Sequence, residues 1–205
     1  MPPHRVYIEP FLGSGAVIRY KSPALINIGV DTNQKCLDRL SDLSNTILKC
    51  DDAISFLSKY KFKGDELIYC DPPYLLETRL NMNGRYYEYE FTDWQHKKLL
   101  KLLRRLKCMV MISGYDSRLY REMLPDWRVE PVRVPLRNGT TGLEYVWLNF
   151  PPPLELHDYS YLGSDFRERD RIKRKKSRWL QKLQRMPELE RHAIMLAIHE
   201  LRGRH

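Results

Sequence analysis

Four short apolar runs early in the chain each stop at an acidic residue. They are Val6-Tyr7-Ile8 before Glu9, Ala24 to Val30 before Asp31, Thr46 to Cys50 before Asp51-Asp52, and Glu66 to Cys70 before Asp71. Runs this short and apolar read as buried strands. Helical patterns stand between them: one starts at Thr32-Asn33-Gln34 and turns Leu37 and Leu40 inward, another at Ala53-Ile54-Ser55-Phe56-Leu57. Strands alternating with helices predict an α/β chain with a parallel sheet. In such a sheet the carboxyl ends share one edge, and open α/β sheets bind ligands there. Glu9, Asp31, Asp52 and Asp71 are therefore expected to converge. Four acids at one edge are harder to attribute to chance than any one of them.

The remainder of the chain extends this pattern. Thr92-Asp93 caps a helix from Trp94 to about Leu106, with Leu99, Leu102, Leu103 and Leu106 at helical spacing as core. His96 on that helix reads as a surface residue. Cys108 to Ser113 is a fifth strand, and Leu119 to Leu124 a short helix stopped by Pro125. Trp127 to Val134 and Glu144 to Phe150 form a hairpin that puts one antiparallel strand into a seven-stranded sheet. Pro151-Pro152-Pro153 cannot continue the last strand, so residues 1–150 form one domain and 151–205 a Pro linker with a helical tail.

Asp71-Pro72-Pro73-Tyr74 has unusual chemistry for a strand end. Two prolines remove two backbone donors and leave local carbonyls free to accept. Asp71 adds a carboxylate and Tyr74 a flat π-face. Two acceptors beside a stacking platform suit the exocyclic amino group of a base. A Pro-rich strand-to-loop turn would also account for the tetrapeptide taken alone. Upstream, Glu9-Pro10-Phe11-Leu12-Gly13-Ser14-Gly15 is a Gly-rich turn between strand and helix, which lets a backbone approach a ligand closely. No Gly-Lys-Ser/Thr follows, so a phosphate cradle is not indicated. Asp31 lies about 20 residues after this turn, where an acid can accept from ribose hydroxyls. One of Asp51 and Asp52 could accept from an adenine amino group, and one could cap the next helix.

Net charge is +9, which points to an anionic partner. The charge is concentrated at the end: from Phe166 to His205 there are 13 Lys/Arg against 5 Asp/Glu, a net +8. Arg171, Lys173, Arg174, Lys175, Lys176 and Arg178 crowd one helix, with Trp179, Leu180 and Leu183 as an apolar stripe. A second helix from Pro187 is expected to bury Leu189, Ile194, Ala197, Ile198 and Leu201. A cationic helical hairpin of this kind suits a phosphate backbone; a solvated charged helix or a dimer arm has the same signature. Leu75 to Glu90, with Arg79, Arg85 and Tyr86, has no clear period and sits just past the tetrapeptide, as substrate-contacting loops often do. Cys36, Cys50, Cys70 and Cys108 lack C-x-x-C spacing, which argues for buried reduced thiols and against zinc. With no membrane-length apolar run and no signal-peptide pattern, a cytoplasmic protein is expected.

The Pro-Phe-x-Gly-x-Gly turn, Asp31, Asp52, Asp71-Pro72-Pro73-Tyr74 and the closing Glu144-Tyr145-Val146-Trp147 together resemble the Dam-like (alpha-group) N6-adenine DNA methyltransferases, over roughly residues 5 to 150. The resemblance implies a Rossmann-like methyltransferase sheet and S-adenosylmethionine as cofactor. It implies double-stranded DNA as substrate and a setting in phage or restriction–modification biology. It places Glu9, Pro10, Phe11, Gly13 and Gly15 around the methionine part, Asp31 on the ribose, Asp52 on the adenine amino group and Asp71 beside both methionine and target base. It also implies a lysine-bearing segment ahead of the first strand, for which Met1-Pro2-Pro3-His4-Arg5 leaves no room. The 53 residues between Val17 and Asp71 leave none for a long recognition insert either. Base reading is thus expected from Leu75 to Glu90, from Asn138 to Gly142, or from the tail. An RNA adenine N6-methyltransferase and a nucleic-acid-binding relative without turnover share these features.

Overall fold

The computed structural model describes residues 1–78, 90–135 and 141–202. Strand β1 (Val6–Glu9) is buried at all four positions. A strand with no exposed side reads as a continuous apolar run because both of its faces are covered. Around it run β2 (Ile26–Asp31), β3 (Thr46–Cys50), β4 (Glu66–Cys70), β5 (Met109–Gly114), β6 (Arg128–Pro135) and β7 (Thr141–Leu148), in the order β3-β2-β1-β4-β5-β7-β6. The first five are parallel, and β7 lies antiparallel to both β5 and β6.

Alternation along the central strands makes two cores. Ile8, Ile28, Val30, Ile68, Val110 and Ile112 face one side with α3 (Ala53–Lys59), α4 (Asp93–Leu103) and α5 (Arg118–Met123); Tyr7 and Leu67, one residue out of phase, face the other with α1 (Ala16–Tyr20) and α2 (Gln34–Asp38). Polar side chains start the helices. Asn33, Asp52, Thr92 and Ser117 each accept from a backbone N–H in the first turn, and Thr92 with Gln95 forms a reciprocal capping box.

The chain forms two compact units, Met1–His157 and Asp158–His205. The second contains α6 (Phe166–Arg185) and α7 (Glu188–Arg202). The burial expected for α7 is not found: Leu189, Ala197, Ile198 and Leu201 are all exposed and Ile194 only half-buried, as Trp179 and Leu180 of α6 are also exposed. Helical spacing marks an amphipathic face, but burial needs a second layer, and neither helix covers the other's stripe. All four cysteines are free, and Cys50 is exposed rather than buried because β3 is an edge strand. Among the described residues no helix is long and apolar enough to cross a membrane.

Candidate active site

The sheet reverses its winding between β1 and β4. After β1 the chain adds β2 and β3 on one side, then crosses back to place β4 on the other. Ligands of open α/β sheets lie in the crevice beyond such a reversal. Glu9 closes β1 and Asp71 follows β4, so the two carboxylates flank it.

Glu9 is buried, and Tyr7, two residues back on the same face, donates its hydroxyl to Glu9 Oε2 at 3.0 Å. Burial pushes the Glu9 carboxyl up to about 8; the Tyr7 hydrogen bond works against this, and the Asp71 charge adds to it. Lys21 Nζ lies 4.2 Å over the Tyr7 ring. A buried, reluctant carboxylate at a strand end is a favourable seat for an ammonium or sulfonium cation, whose charge would offset the cost of ionising it.

The Gly-rich turn is stapled to the end of β2. Leu12 N–H donates to the Val30 carbonyl at 3.0 Å, Gly13 N–H to Asp31 Oδ2 at 2.8 Å, and Gly15 N–H to the Leu12 carbonyl at 2.7 Å. Gly13 and Gly15 have φ of +49° and +66°, a region other residues enter only with strain. They differ in their surroundings. A Cβ on Gly15 would meet Leu40 Cδ1 at 2.9 Å, whereas one on Gly13 would meet nothing within 4 Å. Gly15 is a packing position, and Gly13 faces open space above the sheet edge. Asp31 also accepts from Asn33 N–H at 2.8 Å through Oδ1, which fixes its carboxylate in place. Asp52 is exposed and caps α3, accepting from Ser55 N–H at 2.8 Å through Oδ1, and Asp51 Oδ1 accepts from Asp52 N–H. Phe11 meets Phe91 edge-on at 5.4 Å between centroids, and Pro10 is buried.

Around the tetrapeptide, Ser113 Oγ lies 2.8 Å from Asp71 Oδ1 and 3.1 Å from the Cys70 carbonyl, with the Tyr69 hydroxyl 3.3 Å behind it. Its one proton serves a single acceptor at a time, and the shorter contact is to the carboxylate. Asp71 keeps one face open to solvent, yet the crowding on its other side raises its carboxyl above the ordinary range; Ser113 and Tyr74, as donors, pull it back. The Tyr74 hydroxyl is shared between the carboxylates of Asp71 and Glu144. Its ring stands edge-on to Tyr115 at 4.9 Å, so the platform is held at both ends. Pro72 is buried and Pro73 half-buried. The Pro73 carbonyl accepts from His96 Nε2 at 3.1 Å.

His96 is therefore not the surface residue expected from the sequence: it is fully buried beneath the site. Its position could have been read from the spacing His96, Leu99, Leu100, Leu103, which is the stripe that α4 actually buries. The structure adds Ser113, Glu144 and Tyr115 to the site; Ser113 is the polar end of the strand beside β4, and Glu144 opens the closing Glu144-Tyr145-Val146-Trp147 motif. Arg79, Arg85 and Tyr86 lie outside the described residues, as does most of the loop from Asn138 to Gly142. Arg171, Lys173, Arg174, Lys175, Lys176 and Arg178 are exposed on α6, where Arg171 pairs with Glu168 at 3.3 Å and Arg174 with Asp170 at 2.6 Å. Arg171, Arg174 and Arg178 line a shallow surface hollow of about 700 Å³.

No curated protein matches the chain. Solved structures with a similar fold include an rRNA methylase from Streptococcus thermophilus (17% identity, 72% of this chain and 87% of that one, TM-score 0.47). Others are the N-methyltransferase NodS from Bradyrhizobium japonicum (12%, 70% and 85%, TM-score 0.47) and a magnesium protoporphyrin IX methyltransferase from Synechocystis with bound S-adenosylmethionine (12%, 72% and 70%, TM-score 0.46). The family model of the D12 class N6 adenine-specific DNA methyltransferases matches residues 30–134, which hold Asp31, Asp52, the tetrapeptide and His96. That match covers 105 of 205 residues, and the chain belongs to the D12 class of N6 adenine-specific DNA methyltransferases.

Proposed function

We propose that this chain transfers a methyl group from S-adenosylmethionine to the N6 amino group of adenine in DNA, acting on a base flipped out of the duplex. The observation that carries this reading is the pairing of the Asp71 carboxylate, fixed by Ser113, with the Tyr74 ring, fixed by Asp71, Glu144 and Tyr115. An acceptor and a π-face are thus held rigidly at one sheet edge.

S-adenosylmethionine supplies an electrophilic sulfonium methyl. The residues at the edge fit it: Glu9 offers a buried negative charge, Asp31 a fixed carboxylate for the ribose, and Gly13 an open approach to the backbone. Pro10 and Phe11 wall the turn, and Gly15 lets it sit close on Leu40. Asp52 spends Oδ1 on its cap and is assigned to the adenine amino group through its remaining acceptor capacity.

An adenine amino nitrogen is a poor nucleophile because its lone pair is conjugated into the ring. Accepting its hydrogens at Asp71 and at the Pro72 carbonyl favours a pyramidal nitrogen with the lone pair free for in-line attack. Orientation and preorganised acceptors supply most of the acceleration. The amino group cannot be approached in line within a duplex, so the base is extruded and stacked on Tyr74. The cationic α6 holds phosphates and so positions the protein without reading bases.

RNA is the alternative substrate, and the two are separated by one experiment. Full-length protein is given labelled cofactor with duplex DNA or RNA of matched sequence. Transfer to DNA alone supports the proposal; transfer to RNA alone overturns the substrate assignment; transfer to neither overturns both.

A further inference from the structure

The tetrapeptide has a mechanical problem. Pro72 and Pro73 have no N–H, so the segment cannot fasten itself to the sheet through its own backbone donors at those positions. A carbonyl only accepts, and hence the Pro73 carbonyl must be held by a donor from elsewhere. That donor is His96 Nε2, on α4 and fully buried.

The partner on the other ring nitrogen fixes the chemistry. Nε2 faces a carbonyl at 3.1 Å, so it carries the proton. In the neutral ring Nδ1 is then an acceptor, and Tyr120, whose hydroxyl is 3.0 Å away and whose side chain is buried, donates to it. Tyr120 is seated against Trp147 at 4.8 Å between centroids. The His96 ring also takes Phe91 edge-on at 4.8 Å, and Phe91 meets Phe11 of the Gly-rich turn. One imidazole thus touches the column behind the cofactor turn and the carbonyl between Pro73 and Tyr74.

We propose that His96 is a positioning residue: as the Nε2–H tautomer set by Tyr120, it occupies the Pro73 carbonyl and fixes the peptide that aims Tyr74, leaving the Pro72 carbonyl as the backbone acceptor for the substrate amino group. This rests on the methyltransferase reading for its kinetic consequence, but not for its geometry. His96 touches no substrate; it acts through the tetrapeptide.

The test uses full-length protein and three variants. Gln can place an amide N–H where Nε2 stood, so H96Q keeps the donor; H96F keeps the ring bulk and loses it; Y120F removes the hydroxyl that sets the tautomer. Displacing a reacting geometry by about 1 Å costs on the order of 100-fold, so H96F should lose that much in kcat at nearly unchanged cofactor Kd, and H96Q should recover to within about tenfold of wild type. Nuclear magnetic resonance supplies a readout independent of turnover. The His96 ring should show the Nε2–H tautomer, and the Pro73 carbonyl and Tyr74 ring signals should move in H96F and Y120F and return in H96Q. An Nδ1–H tautomer, or Pro73 and Tyr74 signals indifferent to H96F, overturns the proposal whether or not the wild type is active. So does H96F with wild-type kcat, or H96Q no better than H96F. A wild type that shows the tautomer and the coupled signals but transfers no methyl refutes the methyltransferase reading and leaves the positioning contact supported.

Discussion

Glu9→Gln should make the ligand-free protein more stable in mild alkali while weakening its grip on the cofactor. The Glu9 carboxyl is raised from an ordinary 4.5 to about 8, chiefly by burial. A carboxyl raised in the folded state binds its proton more tightly there than in the unfolded chain. Its contribution to stability is therefore full below pH about 4.5, is lost as pH climbs toward about 8, and is level beyond. At roughly 1.4 kcal/mol per pH unit, that displacement sets a ceiling of about 5 kcal/mol. Local relaxation and water entry bring the expected effect to about 2–3 kcal/mol. Gln keeps an oxygen for the Tyr7 hydroxyl and carries no charge to desolvate. Urea melts of the wild type and Glu9→Gln at pH 5 and 8.5 isolate the Glu9 contribution, because His4, lowered to about 4 by burial, titrates alike in both proteins. The difference between the two should shift in favour of Glu9→Gln by the stated amount between the two pH values. A difference that stays constant from pH 5 to 8.5 would refute the electrostatic account of Glu9, and calorimetric Kd values for S-adenosylmethionine unaffected by the substitution would remove it from the cofactor site.

Three other outcomes are expected. Asp31→Ala removes the carboxylate proposed to accept from the ribose, and with hydrogen bonds to charged groups worth roughly 1.5–3 kcal/mol it should raise the cofactor Kd by about tenfold or more in calorimetry. An unchanged Kd would leave Asp31 as a loop brace only. Tyr74→Ala should weaken capture of an extruded base by about 1–3 kcal/mol, read as the rise in Kd for duplex DNA whose target base is mispaired, and an unchanged Kd in the variant would exclude stacking. Deleting residues 158–205 should weaken DNA binding and flatten the dependence of log K on log salt while leaving site preference intact. An identical salt slope would rule out α6 as the phosphate clamp.

The acidic edge was legible because it depends on local signals. Each apolar run ends where its carboxylate begins, and parallel pairing of β1 through β4 carries Glu9, Asp31, Asp52 and Asp71 to one side without further information. The capping half of the Asp51-Asp52 reading was equally local, since Asp52 meets Ser55 three residues on. What lay beyond reach depends on contacts between distant segments. Ser113 reaches Asp71 across 42 positions because β5 pairs with β4, and Glu144 comes from the closing strand. His96 was legible in principle, since it stands one turn ahead of Leu99 and Leu100 on the stripe that α4 buries. In the tail the error ran the other way: spacing marked an apolar face on α7, but nothing in a helix's own sequence says whether another layer covers it.

The central claim is tested most directly by identifying the methylated atom. Full-length protein, duplex DNA and S-adenosylmethionine with a labelled methyl group are incubated beside the Asp71→Ala variant, and the DNA is digested to nucleosides for mass spectrometry. Because Asp71 sits at an open sheet edge rather than in a core cluster, the variant should melt like the wild type. Labelled N6-methyldeoxyadenosine from the wild type and none from Asp71→Ala is the predicted result. Label on another atom, or equal yield from the variant, would contradict it.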